Sequence, residues 1–145
     1  MSKFRAWDKI DEKLWNVVSI DFIKGEVTLL NEYTKESYIR EMDEVELMRY
    51  TGLKDKNGKE IYEGDILERK FSGLGNELGD RIFVSWDRYR FVQNWVMKFK
   101  RNLKNSADLG KWFKSQKQFK LDLDAHLNDF EVVGNIYESP ELLKG

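Results

Sequence analysis

Thr51-Gly52-Leu53-Lys54-Asp55-Lys56-Asn57-Gly58-Lys59-Glu60-Ile61-Tyr62-Glu63-Gly64-Asp65-Ile66 carries the densest shape information in the chain. Asn57 and Gly58 both tolerate positive φ, which tight hairpin loops require, so residues 55–58 read as a turn. Ile61-Tyr62 and Ile66-Leu67 on its far side are strand-like, and Glu63-Gly64-Asp65 breaks the run and redirects the chain. The same residues invite two chemical readings, and spacing disposes of both. Gly52, Gly58 and Gly64 recur every six residues, which is neither a Walker A loop nor a dinucleotide fingerprint. Asp55-x-Asn57 opens like a calcium loop but lacks the later acidic and glycine positions. The stretch is a turn-and-strand device.

On its N-terminal side, residues 14–22 read as a strand, Lys24-Gly25 as a turn, and residues 26–30 as the returning arm of a hairpin. Tyr38-Ile39-Arg40 and residues 45–50 are further strands. A short helix capped by Asp43 is the alternative for the second. Downstream, residues 71–80 carry Gly73, Gly75 and Gly79 and read as a mobile, glycine-rich loop. Residues 81–86 and 90–97 flank Asp87-Arg88-Tyr89 as a second hairpin, and alternation puts Phe91, Trp95, Met97 and Phe99 on one face. Leu109, Trp112 and Phe113 line one side of a short helix that Gly110 weakens. Residues 131–138 read as a closing strand in which Gly134 marks a bulge or tight bend. Ser139-Pro140-Glu141 supplies an N-cap, an N1 proline and a first-turn acid, so a helical turn should follow. No internal repeat shows. Short strands at turn-separated spacing predict a mainly β or α+β chain, a small barrel or sandwich with helical additions.

Composition agrees with that class and narrows the chemistry. At 145 residues and 41% hydrophobic content the chain suits one ordinary domain, or a small domain with an appended subdomain, and aromatics at 14% favour strands. There is no cysteine, which removes disulfides, thiol nucleophiles and cysteine-ligated metal sites. The start of the chain lacks a signal-like apolar run, and no window approaches the roughly 18 apolar residues of a membrane span. The expected setting is cytoplasmic, away from membranes. The net charge of −1 conceals an uneven distribution. Residues 98–120 hold eight bases, Lys98, Lys100, Arg101, Lys104, Lys111, Lys114, Lys117 and Lys120, against the single acid Asp108. Residues 1–66 carry 15 acids against 11 bases, and residues 121–145 carry six acids against one base.

Three blocks carry a family likeness. Lys3-Phe4-Arg5-Ala6-Trp7-Asp8, then Leu47-Met48-Arg49-Tyr50 running into the 51–66 stretch, then residues 131–143 resemble, in that order, the YopX family of phage and prophage proteins. The resemblance implies an SH3-type small β-barrel over residues 51–145, with a basic insertion near 98–120 and a β extension over residues 1–50. In that reading Gly64-Asp65-Ile66 enters the first long strand and residues 131–137 close the barrel. The family brings no catalytic residues or cofactor to carry over.

The candidate sites are few. Asp122, Asp124, His126 and Asn128 alternate and would share a face on a strand, where a divalent cation could use them, but a solvated acidic edge is the plainer reading. His126 has no nucleophile elbow to serve. The basic band is the better lead. Phe99, Trp112, Phe113 and Phe119 interleave with its cations, and stacking plus phosphate contact is how single strands are held without sequence preference. If nucleic acid is the partner, Lys98, Lys100, Arg101, Lys104, Lys111, Trp112 and Lys114 carry the contact. The leading expectation is nevertheless a non-enzymatic interaction protein without a cofactor, whose partner is another protein or a second copy of itself.

Overall fold

The computed structural model describes residues 3–73, 76–87, 90–97, 121–122 and 127–143. These form antiparallel strands joined by turns and three short 3-10 turns, with no α-helix among the described residues. The chain is therefore mainly β. It divides into two compact units, Met1–Thr51 and Gly52–Gly145.

The first unit contains β1 (Phe4–Asp8), β2 (Lys13–Asp21), β3 (Glu26–Leu30), β4 (Ser37–Glu41) and most of β5 (Val45–Lys54), in the order β4-β3-β2-β1-β5. Residues 45–50 are strand, as expected, and continue through the unit boundary to pair with β6 (Glu60–Tyr62). The two-residue side-chain period of a strand sets the inner face. Trp15 and Val17 of β2 and Val27 and Leu29 of β3 are buried, and Ala6 and Val45 complete the cluster. The β2–β3 register shifts between Val17 and Ser19, so Val18 is a bulge and Ile20 returns to the inner side opposite Val27.

Register also shows how strongly this sheet coils. Arg40 lies across from Val27, which lies across from Ile20, while Asp8 lies across from Lys13. On β2 those rows are seven residues apart, about 23 Å along an extended strand. Yet Arg40 Nε donates to Asp8 Oδ2 at 3.0 Å. The sheet must curl back on itself to allow this. The 3-10 turn Met42–Glu44 then carries the chain from β4 to β5, and Met42 packs on the core that the curl encloses.

The second unit repeats the plan with different residues. Its strands are β7 (Asp65–Gly73), β8 (Asn76–Asp87), β9 (Arg90–Met97), β10 (Leu121–Asp122) and β11 (Glu131–Asn135), in the order β10-β9-β8-β7-β11. In both units the first strand is flanked by the second and the fifth, the fourth lies at the edge, and a 3-10 turn precedes the fifth. Here that turn is Leu127–Asp129. Leu127 joins Ile61, Leu67, Ile82, Val84 and Phe130 in the core, as Met42 packs on the first core. A sequence without a visible repeat thus encodes a repeated strand order.

Two expectations change. Residues 71–73 and 76–80 are strand, not loop: Phe71, Ser72 and Gly73 pair with Leu78, Glu77 and Asn76, and Lys70 pairs with Gly79. The β7–β8 ladder, which runs unbroken from Ile66↔Phe83 to Gly73↔Asn76, outweighs the low strand propensity of glycine, which is why composition alone misled. The row from Asp122 to Asn128 is not one strand either. β10 ends at Asp122 and Asn128 sits in a 3-10 turn, while Asp124 and His126 lie outside the described residues. The expected helix around Leu109, Trp112 and Phe113 also lies outside them. The C-terminal helical turn is present as Pro140–Leu143. No helix among the described residues is long and apolar enough to cross a membrane, which leaves membrane-crossing strands unaddressed.

Two glycines have structural duties that side chains would obstruct. Gly64 adopts φ +86° where the chain turns into β7, donates to the Val84 carbonyl at 2.8 Å and accepts from the Ile136 amide at 2.8 Å. Gly134 follows the bulge in β11, where register shifts after Val132. A Cβ there would stand 2.7 Å from Ser139 Oγ and 3.2 Å from Leu142 Cδ1. Gly134→Val should therefore loosen the C-terminal turn and cost about 1–3 kcal/mol, read as a lower urea midpoint at unchanged m-value. A midpoint equal to that of the native chain would contradict the packing described.

Candidate functional site

The opening stretch is held by one carboxylate. Asp55 is buried, and its Oδ1 accepts the Asn57 and Lys59 amides at 2.8 and 2.9 Å while Oδ2 accepts the Val132 amide at 2.9 Å. Burial pushes this carboxyl up, but the amides of Val132, Lys59 and Asn57, with the Lys59 charge, hold it below the usual carboxylate range. The Lys56 amide also donates to the Phe130 carbonyl at 2.9 Å. A turn that resembled a calcium loop is thus a clamp between the β5–β6 hairpin and β11. Its lone pairs are spent on the backbone.

Two ion pairs have similar structural duties. Asp8 is fully buried, accepts the Ile10 amide at 3.0 Å and takes Arg40 Nε on both oxygens, at 3.2 and 3.0 Å. Arg40 Nη2 reaches Asp11 at 3.1 Å. The Asp8 hydrogen bond, together with the charges of Asp8, Asp11 and Glu44, raises the Arg40 guanidinium above its ordinary value against the opposing effect of burial. In the second unit Arg81 Nε and Nη2 converge on Glu68 Oε2 at 3.1 and 2.6 Å, and its Nη1 donates to the Leu142 carbonyl at 2.8 Å. Among the described residues no group of three or more histidines and carboxylates is arranged to hold a metal.

What the fold leaves open is apolar surface. Seven of the nine large hydrophobic residues exposed among the described ones fall within residues 10–39. Phe22 and Ile23 occupy the β2–β3 turn at 77% and 99% exposure, and Ile39 on β4 is 62% exposed. Asp21 shapes that turn, its Oδ1 accepting the Ile23 and Lys24 amides at 3.0 Å each. A carboxylate row borders it, with Asp21 opposite Glu26 and Glu26 opposite Glu41. These positions escape a linear reading because residue 22 looks like the end of a strand. The Asp21-x-x-Lys24-Gly25 pattern is the signal that could have placed the turn one residue earlier.

Comparison with known proteins is decisive for the family. The family model described as YopX protein matches residues 3–144. The chain belongs to the YopX family. Its structure is similar to the crystal structure of protein EF1440 from Enterococcus faecalis, with TM-score 0.58 and 24% identity over 99% of each chain. It is also similar to the crystal structure of protein yopX from Bacillus subtilis, with TM-score 0.56 and 21% identity over 100% of this chain and 98% of that one. At such identities these likenesses concern the fold. A search among curated proteins finds no match.

In this YopX-family chain the seven basic-band positions singled out from sequence, Lys98, Lys100, Arg101, Lys104, Lys111, Trp112 and Lys114, lie outside the described residues. The strands on either side are placed. β9 ends at Met97, and β10 begins at Leu121 opposite Gln93. The band therefore leaves and rejoins one sheet between neighbouring strands.

The Asp55 clamp makes a signed prediction. Because its folded value lies below the unfolded value of about 3.9, its stabilisation is present above that pH and is lost as pH falls through the folded value. Asp55→Ala should cost about 2–4 kcal/mol near neutrality by orphaning three amides. The gap between variant and native urea midpoints should narrow in acid. A gap constant with pH would show that charge is not what the clamp uses.

Proposed function

We propose that this chain is a non-enzymatic interaction module of phage or prophage origin, acting in the cytoplasm of its host and binding another protein or itself. The observation that carries this reading is the exposed apolar surface around Phe22, Ile23 and Ile39. Water-exposed apolar side chains grouped on one hairpin and its neighbouring strand are costly unless a partner covers them. The Asp8–Arg40 pair ties β4, which carries Ile39, to the end of β1. We read residues 51–145 as an SH3-type barrel. In support, its three-strand meander is extended by a fourth strand, and the fifth returns to the first after a 3-10 turn.

The reading is tested by placing p-benzoylphenylalanine at Ile23, and as a control at exposed Lys70, and irradiating cells that produce the protein. Position 23 should give discrete protein adducts that position 70 lacks. Equal or absent labelling at both would sink the proposal.

A second reading, nucleic-acid binding through 98–120, is favoured by the eight bases set against one acid in that band, whose flanking strands β9 and β10 pair with each other. Lys100, Arg101, Lys104 and Lys111 changed together to Glu should then abolish retention of single-stranded DNA or RNA on a filter. Native retention should fall steeply with salt. No retention by the native chain at low salt would remove this reading.

A further inference from the structure

We propose that the apolar β2–β3 tip and the outer side of β4 dock residues 98–120 of a second copy of this chain, joining molecules head to tail. This rests on the interaction-module reading above and names its partner. The docking surface is Phe22, Ile23 and Ile39, bordered by Asp21, Glu26 and Glu41. Ile39 and Glu41 are two residues apart on one strand and so share a face, and the three carboxylates lie directly across from one another on adjacent strands. Like charges in such a row repel at a separation of about 5 Å. None of the three forms an ion pair among the described residues. Asp21 and Glu41 also serve the local backbone, through the turn amides and the Met42–Glu44 cap. Glu26 has no such duty. β4 is the edge of its unit's sheet, so nothing in the ladder obstructs approach.

The occupant follows from charge and from coverage. Apolar residues beside uncompensated carboxylates fit a cationic segment bearing aromatics. Residues 98–120 are such a segment, with eight bases, one acid, Phe99, Trp112, Phe113 and Phe119. Ile23 is 99% exposed, and the proposal assigns its cover to this segment of a second copy, drawn by the opposite charge of the two surfaces. The contact joins unlike surfaces, so it is heterologous and builds a ring or an open chain rather than a symmetric pair. Its attraction is between exposed charges and weakens with salt, over a screening length of about 10 Å at 0.1 M.

The experiment is a charge swap on the full chain, read by light scattering after size exclusion at low and high salt. One variant carries Glu26→Lys and Glu41→Lys, with Glu26→Lys alone as the form that spares the cap, and circular dichroism confirms folding. The other carries Lys100→Glu, Lys104→Glu and Lys111→Glu. The native chain should exceed the monomer mass at low salt and approach it at high salt. Each variant alone should associate at least about tenfold more weakly, a loss of about 1.4 kcal/mol or more. An equal mixture of the two should associate again, because each now complements the other. A native chain that is monomeric throughout, association unaffected by either variant, or a mixture that stays monomeric would each overturn the proposal. Cross-linked adducts at position 23 that contain a different protein, alongside a monomeric native chain, would leave the interaction-module reading standing and remove self-docking alone.

Discussion

The second unit depends on a buried carboxylate whose partners are backbone amides. Asp55 gathers the amides of Asn57, Lys59 and Val132, and so ties the hairpin after β5 to the last strand of the chain. These partners are far apart in sequence, Val132 lying 77 residues on. Closing so long a separation has an entropic cost, which a buried, charge-assisted acceptor helps to offset. The neighbouring Lys56 amide to Phe130 carbonyl bond fixes the same junction, and Phe130 sits fully buried beside it. Polar clamp and apolar core thus specify one register together.

The first unit solves a comparable problem differently. Its sheet must coil far enough for β4 to hand the chain to β5 beside β1, and the Asp8–Arg40 pair bridges strands that are not neighbours in the ladder. A buried ion pair is weak evidence for stability, since desolvation consumes much of its attraction. Its geometric consequence is firmer. A fully buried carboxylate accepting an amide and a guanidinium admits few alternative curvatures. Met42 from the 3-10 turn then packs on the core within the curl, as Leu127 does in the second unit. Shared strand order with unlike residues shows that the plan tolerates different means of holding it.

Much of the fold was legible because it is written locally. The hairpin of β2 and β3, the turn at Asn57-Gly58, the break at Gly64 and the bulge beside Gly134 all announce themselves through glycine, asparagine and alternation. The 71–80 stretch misled because its glycines suggest a loop, whereas pairing of Phe71 with Leu78 is a property of two strands together. The candidate surface was illegible for the same reason. Asp21, Glu26 and Glu41 become a row only when β2, β3 and β4 are laid side by side.

By itself, then, the sequence determined the class of protein: a strand-rich chain without cysteine, punctuated by turns, bearing a basic band and the residue blocks of the YopX family. Those features depend on residue type and short spacing, which need no knowledge of distant contacts. Tertiary structure alone decided that the strand order occurs twice, that Asp55 clamps the β5–β6 hairpin to β11, and that the apolar tip borders a carboxylate row. Each of those depends on which strands meet and in what register. A shift of one residue would turn every side chain of a strand to the other face, and only the folded sheet settles that choice.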